Sequence, residues 1–353
     1  MRCIIGVDVG GTTTTVAIGN EREVLHVSGQ FPTRSEEGPR ESVRAIVEHA
    51  LAALAEVGGS IADVSAVGLA TPGPATLDGV LLKTPNLTAA EWDRFPIRGE
   101  LEQGFRQHQP AICVHYIGDG QAAALGEFAV RTRALSWKGS AVRESDSRLS
   151  SLFMVIVGTG LGGGAVWERQ VVRGREGRAG HIGHLTLPLH AFRHPHDRQL
   201  LVGNAYCTAE SAVSLTALTH QLGYRLSLDL WREHPLNRET GSLRERAKRL
   251  RALAAEGDAL ALELFEDQAR ALGITLLNAN YLGDYDLIVI GGGVCDLAPK
   301  VRDWYRQCAE ESYRRHALDG FRNLSAFEFS ICGDDAPVIG ALAWASGRPA
   351  CIT

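Results

Sequence analysis

Two glycine-rich segments, each directly after an apolar run, constrain the fold of this chain more than any other feature. The first, at residues 6–13, is GVDVGGTT, and the second, at residues 158–163, is GTGLGG. Adjacent glycines let backbone N–H groups approach an anion closely, and they accept the positive φ angles of a tight turn. Each segment therefore predicts a β-hairpin that binds phosphate, and the recurrence predicts two α/β units of one plan.

The apolar periodicity around these segments supports the same plan. In the first half, the predicted elements are a three-stranded meander over residues 2–30, a helix over 41–57, strands over 64–70 and 112–117, and a helix over 121–130. In the second half, they are strands over residues 152–157, 164–167 and 287–290 and helices over 209–221 and 258–282. Residues 225–251 are polar and Arg-rich, which predicts a loop and a solvated helix without a function.

The composition narrows the class of protein. The chain has 353 residues, which is enough for two α/β domains. Its net charge of −5 does not favour nucleic acid or an anionic membrane as a partner, and no apolar run approaches the ~20 residues of a membrane span. The seven cysteines include no CxxC pair, which predicts reduced thiols and a cytoplasmic location.

The residue types in the first segment predict how it would bind a nucleotide with Mg²⁺. Gly10 and Gly11 would present backbone N–H groups to phosphate, and the hydroxyls of Thr12 and Thr13 would add donors. Asp8 would hold Mg²⁺ through water, because Mg²⁺ prefers one or two carboxylates together with waters and phosphate oxygens.

Two further glycine clusters extend this prediction. The phosphate-binding residues expected in the second segment are Gly158, Thr159, Gly160 and Gly162. The third cluster follows a buried strand, would admit the flat face of an adenine, and consists of Gly291, Gly292 and Gly293. The sequence has neither the GxxxxGK[ST] of a P-loop nor a GxGxxG between a strand and a helix.

Asp119 is the predicted catalytic base. It lies between a predicted buried strand and a predicted helix. Phosphoryl transfer to an alcohol needs a group that accepts the hydroxyl proton and orients the oxygen. The position alone fits a helix N-cap equally well, and the other motifs of the chain favour the catalytic role.

The motifs, taken in order along the chain, resemble those of the ROK family of sugar kinases and repressors, in the actin/hexokinase/Hsp70-like superfamily. The segments that carry the resemblance are residues 6–13, 66–74 (AVGLATPGP), 84–87 (TPNL), 119–127 (DGQAAALGE), 157–164 (VGTGLGGG), 180–184 (GHIGH), 288–294 (IVIGGGV) and 333–341 (GDDAPVIGA). Each segment is a weak signal alone, whereas their common order is specific.

The resemblance implies two ribonuclease-H-like, actin-like ATPase domains with a cleft between them. It implies an N-terminal lobe over residues 1–118, a C-terminal lobe over 119–336, and a helix over about 337–353 that packs on the N-terminal lobe. ATP would bind the glycine clusters, and a homodimer is expected. The residues implied to contact the acceptor are Pro85, Asn86, Gly118, Asp119, His181, His184 and Glu210.

The family's zinc element, CxCGxxGC, is missing from this sequence. Leu200 and Val202 stand where two thiolates belong, so no structural zinc is expected. A zinc-free loop held by apolar packing is one alternative, and substitute ligands are the other. The candidate substitutes are His190, His194 and His196 together with His184 or Cys207.

Two other departures concern the acceptor. Gly118 replaces an Asn that contacts the sugar in the family, and His181 replaces the Glu of GEIGH, which accepts hydrogen bonds from sugar hydroxyls. A hydrogen bond to a charged acceptor contributes about 1.5–3 kcal/mol. We therefore expect an acceptor that differs from glucose on this side: a modified hexose, an amino sugar or a cyclitol. Glu210 is one residue displaced from the family's corresponding glutamate.

The sequence thus predicts a kinase that transfers phosphate from ATP to the exocyclic, O6-like hydroxyl of such an acceptor. The alternatives are a non-kinase ATPase of the same superfamily and a sugar-sensing regulator without catalysis. The TPNL segment argues against the ATPase, and the presence of both Asp8 and Asp119 argues against the regulator. A DNA-binding repressor would carry a winged helix before the first phosphate motif, and since that motif begins at Gly6, none is expected.

Overall fold

The computed structural model of the protein describes residues 2–84, 87, 89–137, 142–321 and 327–346. The chain is a mixed α/β protein with two sheets, which confirms the predicted fold class. It forms two compact units. The described residues of the first unit fall within 1–152, 164–180 and 331–353, and those of the second fall within 153–163 and 181–330. None of the helices in the described ranges is long and apolar enough to cross a bilayer.

The strands and helices follow the predicted order. The strands are β1 Cys3–Val9, β2 Thr13–Gly19, β3 Val24–Val27, β4 Phe31–Pro32, β5 Val64–Thr71, β6 Val114–Gly118, β7 Leu152–Val157, β8 Leu161–Trp167, β9 Gln170–Val171, β10 Ile288–Gly292 and β11 Phe327–Phe329. The helices are α1 Pro39–Glu56, α2 Ile97–Arg106, α3 Asp119–Arg131, α4 Ala209–Ala212, α5 Leu215–Ser227, α6 Leu243–Ala255, α7 Ala259–Gly283, α8 Pro299–His316 and α9 Ala336–Ser346.

The sheet of the first unit has the strand order β3-β2-β1-β5-β6, and β4 pairs with β2. β1 is antiparallel to β2 and parallel to β5, which is parallel to β6. Side chains of β1 and β5 are buried on both faces of the sheet, as the continuous apolar runs predict. Helices α1 and α2 contribute to the core on one face, and α9 packs against β1 and β5.

Helix α9 also packs closely against α3, and glycine makes this approach possible. A Cβ at Gly340 would overlap the carbonyl oxygen of Ala122 on α3, and a Cβ at Gly126 would lie 2.7 Å from the backbone nitrogen of Gly340. This packing joins α3 to the first unit. The predicted boundary between an N-terminal and a C-terminal lobe, between residues 118 and 119, stays a prediction.

We predict that Gly340→Ala lowers the free energy of unfolding by about 3 kcal/mol, because the added methyl group must push two helices apart. Gly99→Ala on α2 is the matched control. A Cβ there has no neighbour within 4 Å, so it should be neutral or stabilise by up to about 1 kcal/mol. Urea unfolding of both variants measures the difference, and equal stabilities would contradict the packing.

The second sheet has the order β11-β10-β7-β8-β9, and β10 is parallel to both β7 and β11. The long helix α7 packs against α8. The prediction of one helix over residues 209–221 is wrong: the chain leaves the helical path at Val213, and Ser214 caps a new helix, α5, by accepting the N–H of Ala217 at 2.9 Å.

The cysteines agree with the sequence prediction at five positions. Free thiols occur at Cys3, Cys207, Cys295, Cys308 and Cys332. Cys113, immediately before β6, is disulfide-bonded, so the prediction of reduced thiols is wrong at that position.

Candidate active site

Strand register brings the two predicted catalytic-site carboxylates to one edge of the first sheet. Asp8 on β1 is aligned with Ala70 on β5, and Ala70 is aligned with Ile117 on β6. Asp119 follows two residues later as the first residue of α3, where its Oδ1 accepts the N–H of Gly120 at 2.6 Å. Because β1, β5 and β6 are parallel, both carboxylates belong to the carboxyl ends of these strands, the usual place of a ligand site in such sheets.

The electrostatics of Asp8 reflect this arrangement. Burial raises the pKa of Asp8 from its ordinary 3.8 to about 8, and the negative charge of Asp119 contributes to the same shift. Two carboxylates that repel each other favour a cation between or beside them, and Mg²⁺ needs few protein ligands. The donor set therefore fits Mg²⁺, with Asp8 as the residue that would hold it.

This pKa shift predicts how stability depends on pH. The folded, ligand-free chain holds a proton on Asp8 more tightly than the unfolded chain does, so the free energy of unfolding falls as pH rises from 3.8 to about 8. The Asp8 contribution amounts to at most about 1.4 kcal/mol per pH unit. We expect Asp8→Asn to flatten this dependence in chemical unfolding between pH 5 and 8, whereas the exposed-site variant Asp229→Asn should keep it. Identical profiles for Asp8→Asn and the wild type would contradict the shift.

Hydrogen bonds from Thr33 and Ser35 hold the carbonyl groups at the tip of the first hairpin. The oxygen of Gly10 accepts the hydroxyl of Thr33 at 2.8 Å, and that of Gly11 accepts the hydroxyl of Ser35 at 3.1 Å. The oxygen of Thr12 accepts the N–H of Thr33 at 2.9 Å. No group among the described residues accepts the N–H of Gly11 or Thr12. These two donors are open to an anion, and Thr13 begins β2 beside them. The N–H of Gly10, which the sequence predicted as a phosphate donor, instead donates to the carbonyl oxygen of Thr13 at 2.9 Å, so that part of the prediction is wrong.

The second glycine loop is built in the same way. The carbonyl oxygen of Gly158 accepts the N–H of Leu215 at 2.9 Å, and that of Thr159 accepts the hydroxyl of Thr216 at 2.9 Å. The N-terminus of α5 thus holds the carbonyl side of the loop. Over the part of the chain that the structure describes, the N–H groups of Thr159 and Gly160 are not engaged by another group. A phosphate-binding role fits this loop as it fits the first.

Two other predicted cofactor positions lie at strand ends. Gly162 is an exposed residue of β8 directly after the second loop. Gly291 and Gly292 close β10, and Gly292 has φ of 78°, which allows the chain to turn into the short 3₁₀ helix Gly293–Asp296. The third glycine cluster therefore lies where β10 ends in the second unit, with Gly291 buried and Gly292 and Gly293 half-buried.

Comparison with known proteins identifies the family. The sequence profile of the ROK family matches residues 4–348, almost the whole chain. The chain belongs to the ROK family. Similar proteins include the glucokinase of Halalkalibacterium halodurans, which is 27% identical over 346 residues, covering 96% of this chain and 93% of the relative. The N-acetyl-D-glucosamine kinase of Vibrio vulnificus is 27% identical over 289 residues, covering 82% of this chain and 83% of the relative.

A solved ROK structure has the same fold over the full length. The crystal structure of a ROK family glucokinase from Streptomyces griseus in complex with glucose and AMPPNP is 25% identical, with a TM-score of 0.71, and the match covers 98% of this chain and 100% of that one. A ROK protein with this chain's fold therefore binds both a sugar and an ATP analogue.

The residues expected to contact the acceptor are spread over several elements of the fold. Pro85 and Asn86 lie outside the described residues. Gly118 is the N-cap residue of α3, immediately before Asp119. His181 and His184 are both exposed, and their rings stack with centroids 6.3 Å apart at the 3₁₀ turn Ile182–His184.

Glu210 is placed at the second glycine loop. Its carboxylate accepts the N–H of Leu161 at 2.7 Å, and a Cβ at Gly160 would lie 2.6 Å from its Oε2. Its observed partner is therefore the loop backbone, and its predicted contact with the acceptor stays a prediction.

Sequence reasoning missed the residue that holds the segment before GHIGH. The buried amide of Gln121, on the first turn of α3, donates to the carbonyl oxygens of Gly177 at 3.1 Å and Ala179 at 2.9 Å. Nearby, the guanidinium of Arg173 lies 5.0 Å from the ring centroid of Trp344. No local motif marks Gln121, because its partners lie more than 50 residues later in the chain.

The histidines proposed as substitute zinc ligands pack on aromatic rings. His196 stacks on His220 at 4.2 Å and on Tyr224 at 4.4 Å between centroids. His190 stacks on His316 at 5.1 Å. In the ranges that the structure describes, no three His, Cys, Asp or Glu side chains are arranged to hold a metal ion. His194 meets the edge of Tyr224, and the thiol of Cys207 points to the carbonyl oxygen of Arg198 at 3.8 Å.

A buried ion-pair network holds the 3₁₀ turn Pro195–Gln199, which directly precedes the segment where the zinc element is missing. Arg225 on α5 is fully buried and donates from both terminal nitrogens to the carboxylate of Asp197, each at 2.9 Å. It also reaches Glu263 at 2.9 Å and Asp267 at 3.1 Å on α7. The 3₁₀ turn Pro195–Gln199 is thereby tied to two helices. The prediction that the polar segment beginning at residue 225 is solvated is wrong at Arg225, because its charge is paired inside the protein.

Proposed function

We propose that this ROK protein is an ATP-dependent kinase that phosphorylates a sugar or sugar-like acceptor. The observation that carries the proposal is the pair of carboxylates, Asp8 and Asp119, at one edge of three parallel strands, beside a hairpin whose N–H groups are open to an anion. The kinase names of the similar proteins support the same class of reaction.

Asp119 acts as the general base in this proposal. The acceptor hydroxyl oxygen attacks the γ-phosphorus, the bond from that phosphorus to the β–γ bridging oxygen breaks, and ADP leaves. The hydroxyl proton moves to the carboxylate of Asp119, which the N–H of Gly120 orients. A sensor that only binds sugar has no need of such a carboxylate, and a simple ATPase would use it to position water.

Each glycine loop has backbone donors for nucleotide phosphates. Within its own unit, each loop would bind phosphate oxygens, the first through the N–H groups of Gly11 and Thr12 and the second through those of Thr159 and Gly160. Mg²⁺, held by Asp8 through water, would supply charge neutralisation on the phosphates. Asp8 must then be ionised, and a bound cation favours the loss of its proton.

The acceptor is the finer part of the proposal. We propose an O6-like exocyclic hydroxyl on a modified hexose, an amino sugar or a cyclitol, because Gly118 and His181 lack the polar groups that the family pattern has at these positions. An N-acetyl-D-glucosamine kinase among the relatives supports the inclusion of amino sugars. We also propose that the enzyme is cytoplasmic and forms a homodimer. Light scattering of the purified chain would test the oligomeric state.

A substrate panel tests the proposal. ATP-dependent product formation is measured with glucose, N-acetylglucosamine, N-acetylmannosamine and a cyclitol, and kcat/KM is compared. We expect at least one modified acceptor to exceed glucose. If glucose exceeds every analogue, the modified-acceptor part is wrong, and if no member is phosphorylated while ATP binds, the kinase assignment is wrong.

A further inference from the structure

One face of α6 carries cations toward the second glycine loop and the third glycine cluster. Arg244, Lys248 and Arg251 are spaced by four and three residues, so they share a helix face. The helix is well anchored, because Ser242 and Glu245 form a capping box at its N-terminus. The sequence predicted that this helix is solvated and without a function.

Arg244 adds a positive charge to the second glycine loop. Its guanidinium donates to the hydroxyl of Thr159 at 3.1 Å. The N–H groups of Thr159 and Gly160, which no described residue accepts, belong to the same loop. A cation beside open backbone donors favours phosphate oxygens, and arginine can bind them through two parallel hydrogen bonds.

Arg251 lies against the last residue of the third glycine cluster. Its guanidinium lies so close to Gly293 that a Cβ there would overlap Nη2, and Asp296 holds it with a hydrogen bond of 2.9 Å. A guanidinium plane stacks well on an aromatic base. Any larger residue at position 293 would displace it, so this glycine leaves room for the arginine.

We propose that α6 is part of the donor-nucleotide site: Arg244 binds the phosphates at Thr159, and Arg251 stacks on the purine at the edge formed by Gly291–Gly293. Seven residues of helix separate the two arginines by about 10 Å, which is about the length from the base to the terminal phosphates of a nucleotide. The inference rests on the proposed function, because it assigns residues to the ATP site of that kinase.

Calorimetric binding to the full-length chain tests this assignment with two probes, AMPPNP and inorganic triphosphate. Arg244→Ala should weaken both probes by about 10- to 100-fold, since a charged hydrogen-bond donor is lost. Arg251→Ala should weaken AMPPNP by about 3- to 30-fold and triphosphate by less than about 2-fold, since only AMPPNP has a base. Arg244→Lys should recover part of the affinity, because it keeps the charge.

Arg249→Ala is the matched control. Arg249 lies on the same helix but pairs with Glu239, so its loss should change neither affinity by more than about 2-fold. Unchanged binding in Arg244→Ala, or equal weakening in Arg249→Ala, would overturn the inference. Because the binding measurement does not depend on turnover, it can refute the role of α6 without refuting the kinase function, and the reverse also holds. A chain that binds AMPPNP through Arg244 but phosphorylates no acceptor would refute the kinase alone, and active Arg244→Ala with an unchanged KM for ATP would refute the inference alone.

Discussion

Asp119→Asn is expected to lower kcat for acceptor phosphorylation by about 10²- to 10⁴-fold, because an amide cannot take up the hydroxyl proton. The substitution is nearly isosteric, and the amide oxygen can still accept the N–H of Gly120, as Oδ1 does at 2.6 Å. The Kd for AMPPNP should therefore change by less than about 2-fold. Steady-state kinetics with the best acceptor, together with calorimetric binding, measure both quantities.

Asp229→Asn is the matched control for this substitution. Its carboxylate is 93% exposed and forms a surface pair with Arg232 at 3.4 Å, so kcat should stay at the wild-type value. If Asp119→Asn keeps more than about a tenth of the wild-type kcat, the group acts as a helix-terminal residue and general-base catalysis by it is refuted.

Arg225→Met is expected to lower the free energy of unfolding by about 3–5 kcal/mol, because it leaves buried carboxylates without their partner. Burial already raises the pKa of Asp267 although Arg193 and Arg225 lie beside it. Without Arg225 this carboxyl would hold its proton at still higher pH, and protonation would remove the unpaired charge. The deficit of the variant relative to the wild type should therefore narrow as pH falls, which urea unfolding at several pH values measures.

Arg238→Met is the control for the loss of an arginine. Arg238 pairs with Glu233 at 2.7 Å, but the two side chains are 75% and 80% exposed, and a pair of this kind contributes little. Its loss should change stability by less than about 1 kcal/mol at every pH. Equal losses for the two variants would show that the buried network does not fasten the 3₁₀ turn Pro195–Gln199.

The sequence was most informative where local chemistry dictates local structure. The apolar run before each glycine loop predicted β1 and β7, and helical spacing predicted α1 and α3 to within two residues at each end. Asp8 and Asp119 were identified because glycines and strand ends surround them. Their proximity follows from the parallel register of β1, β5 and β6, which no single segment specifies.

The sequence was least informative where a residue's role depends on distant partners. Arg225 looked solvated because its neighbours in sequence are polar, yet its partners Asp197, Glu263 and Asp267 come from other segments. The break at Val213 was hidden for a similar reason. Ser214 ends one apolar pattern and caps the next, and the helical period continues across it.

Prediction from sequence has the same limit for the residues proposed to bind the nucleotide. Arg244 belongs to an Arg-rich stretch whose composition suggests only solvation. Its contact with Thr159, 85 residues earlier in the chain, appears only when α6 is folded beside α5. The position of a cation near a phosphate loop depends on tertiary structure, so no sequence motif predicts it.

The role of Asp119 is tested most directly by a crystal structure of the chain with a non-hydrolysable ATP analogue and the best acceptor from the panel. General-base catalysis predicts a carboxylate oxygen of this residue about 2.6–3.2 Å from the acceptor hydroxyl that faces the terminal phosphate. A side chain turned away from that hydroxyl, with no single water joining the two, would contradict the kinase mechanism.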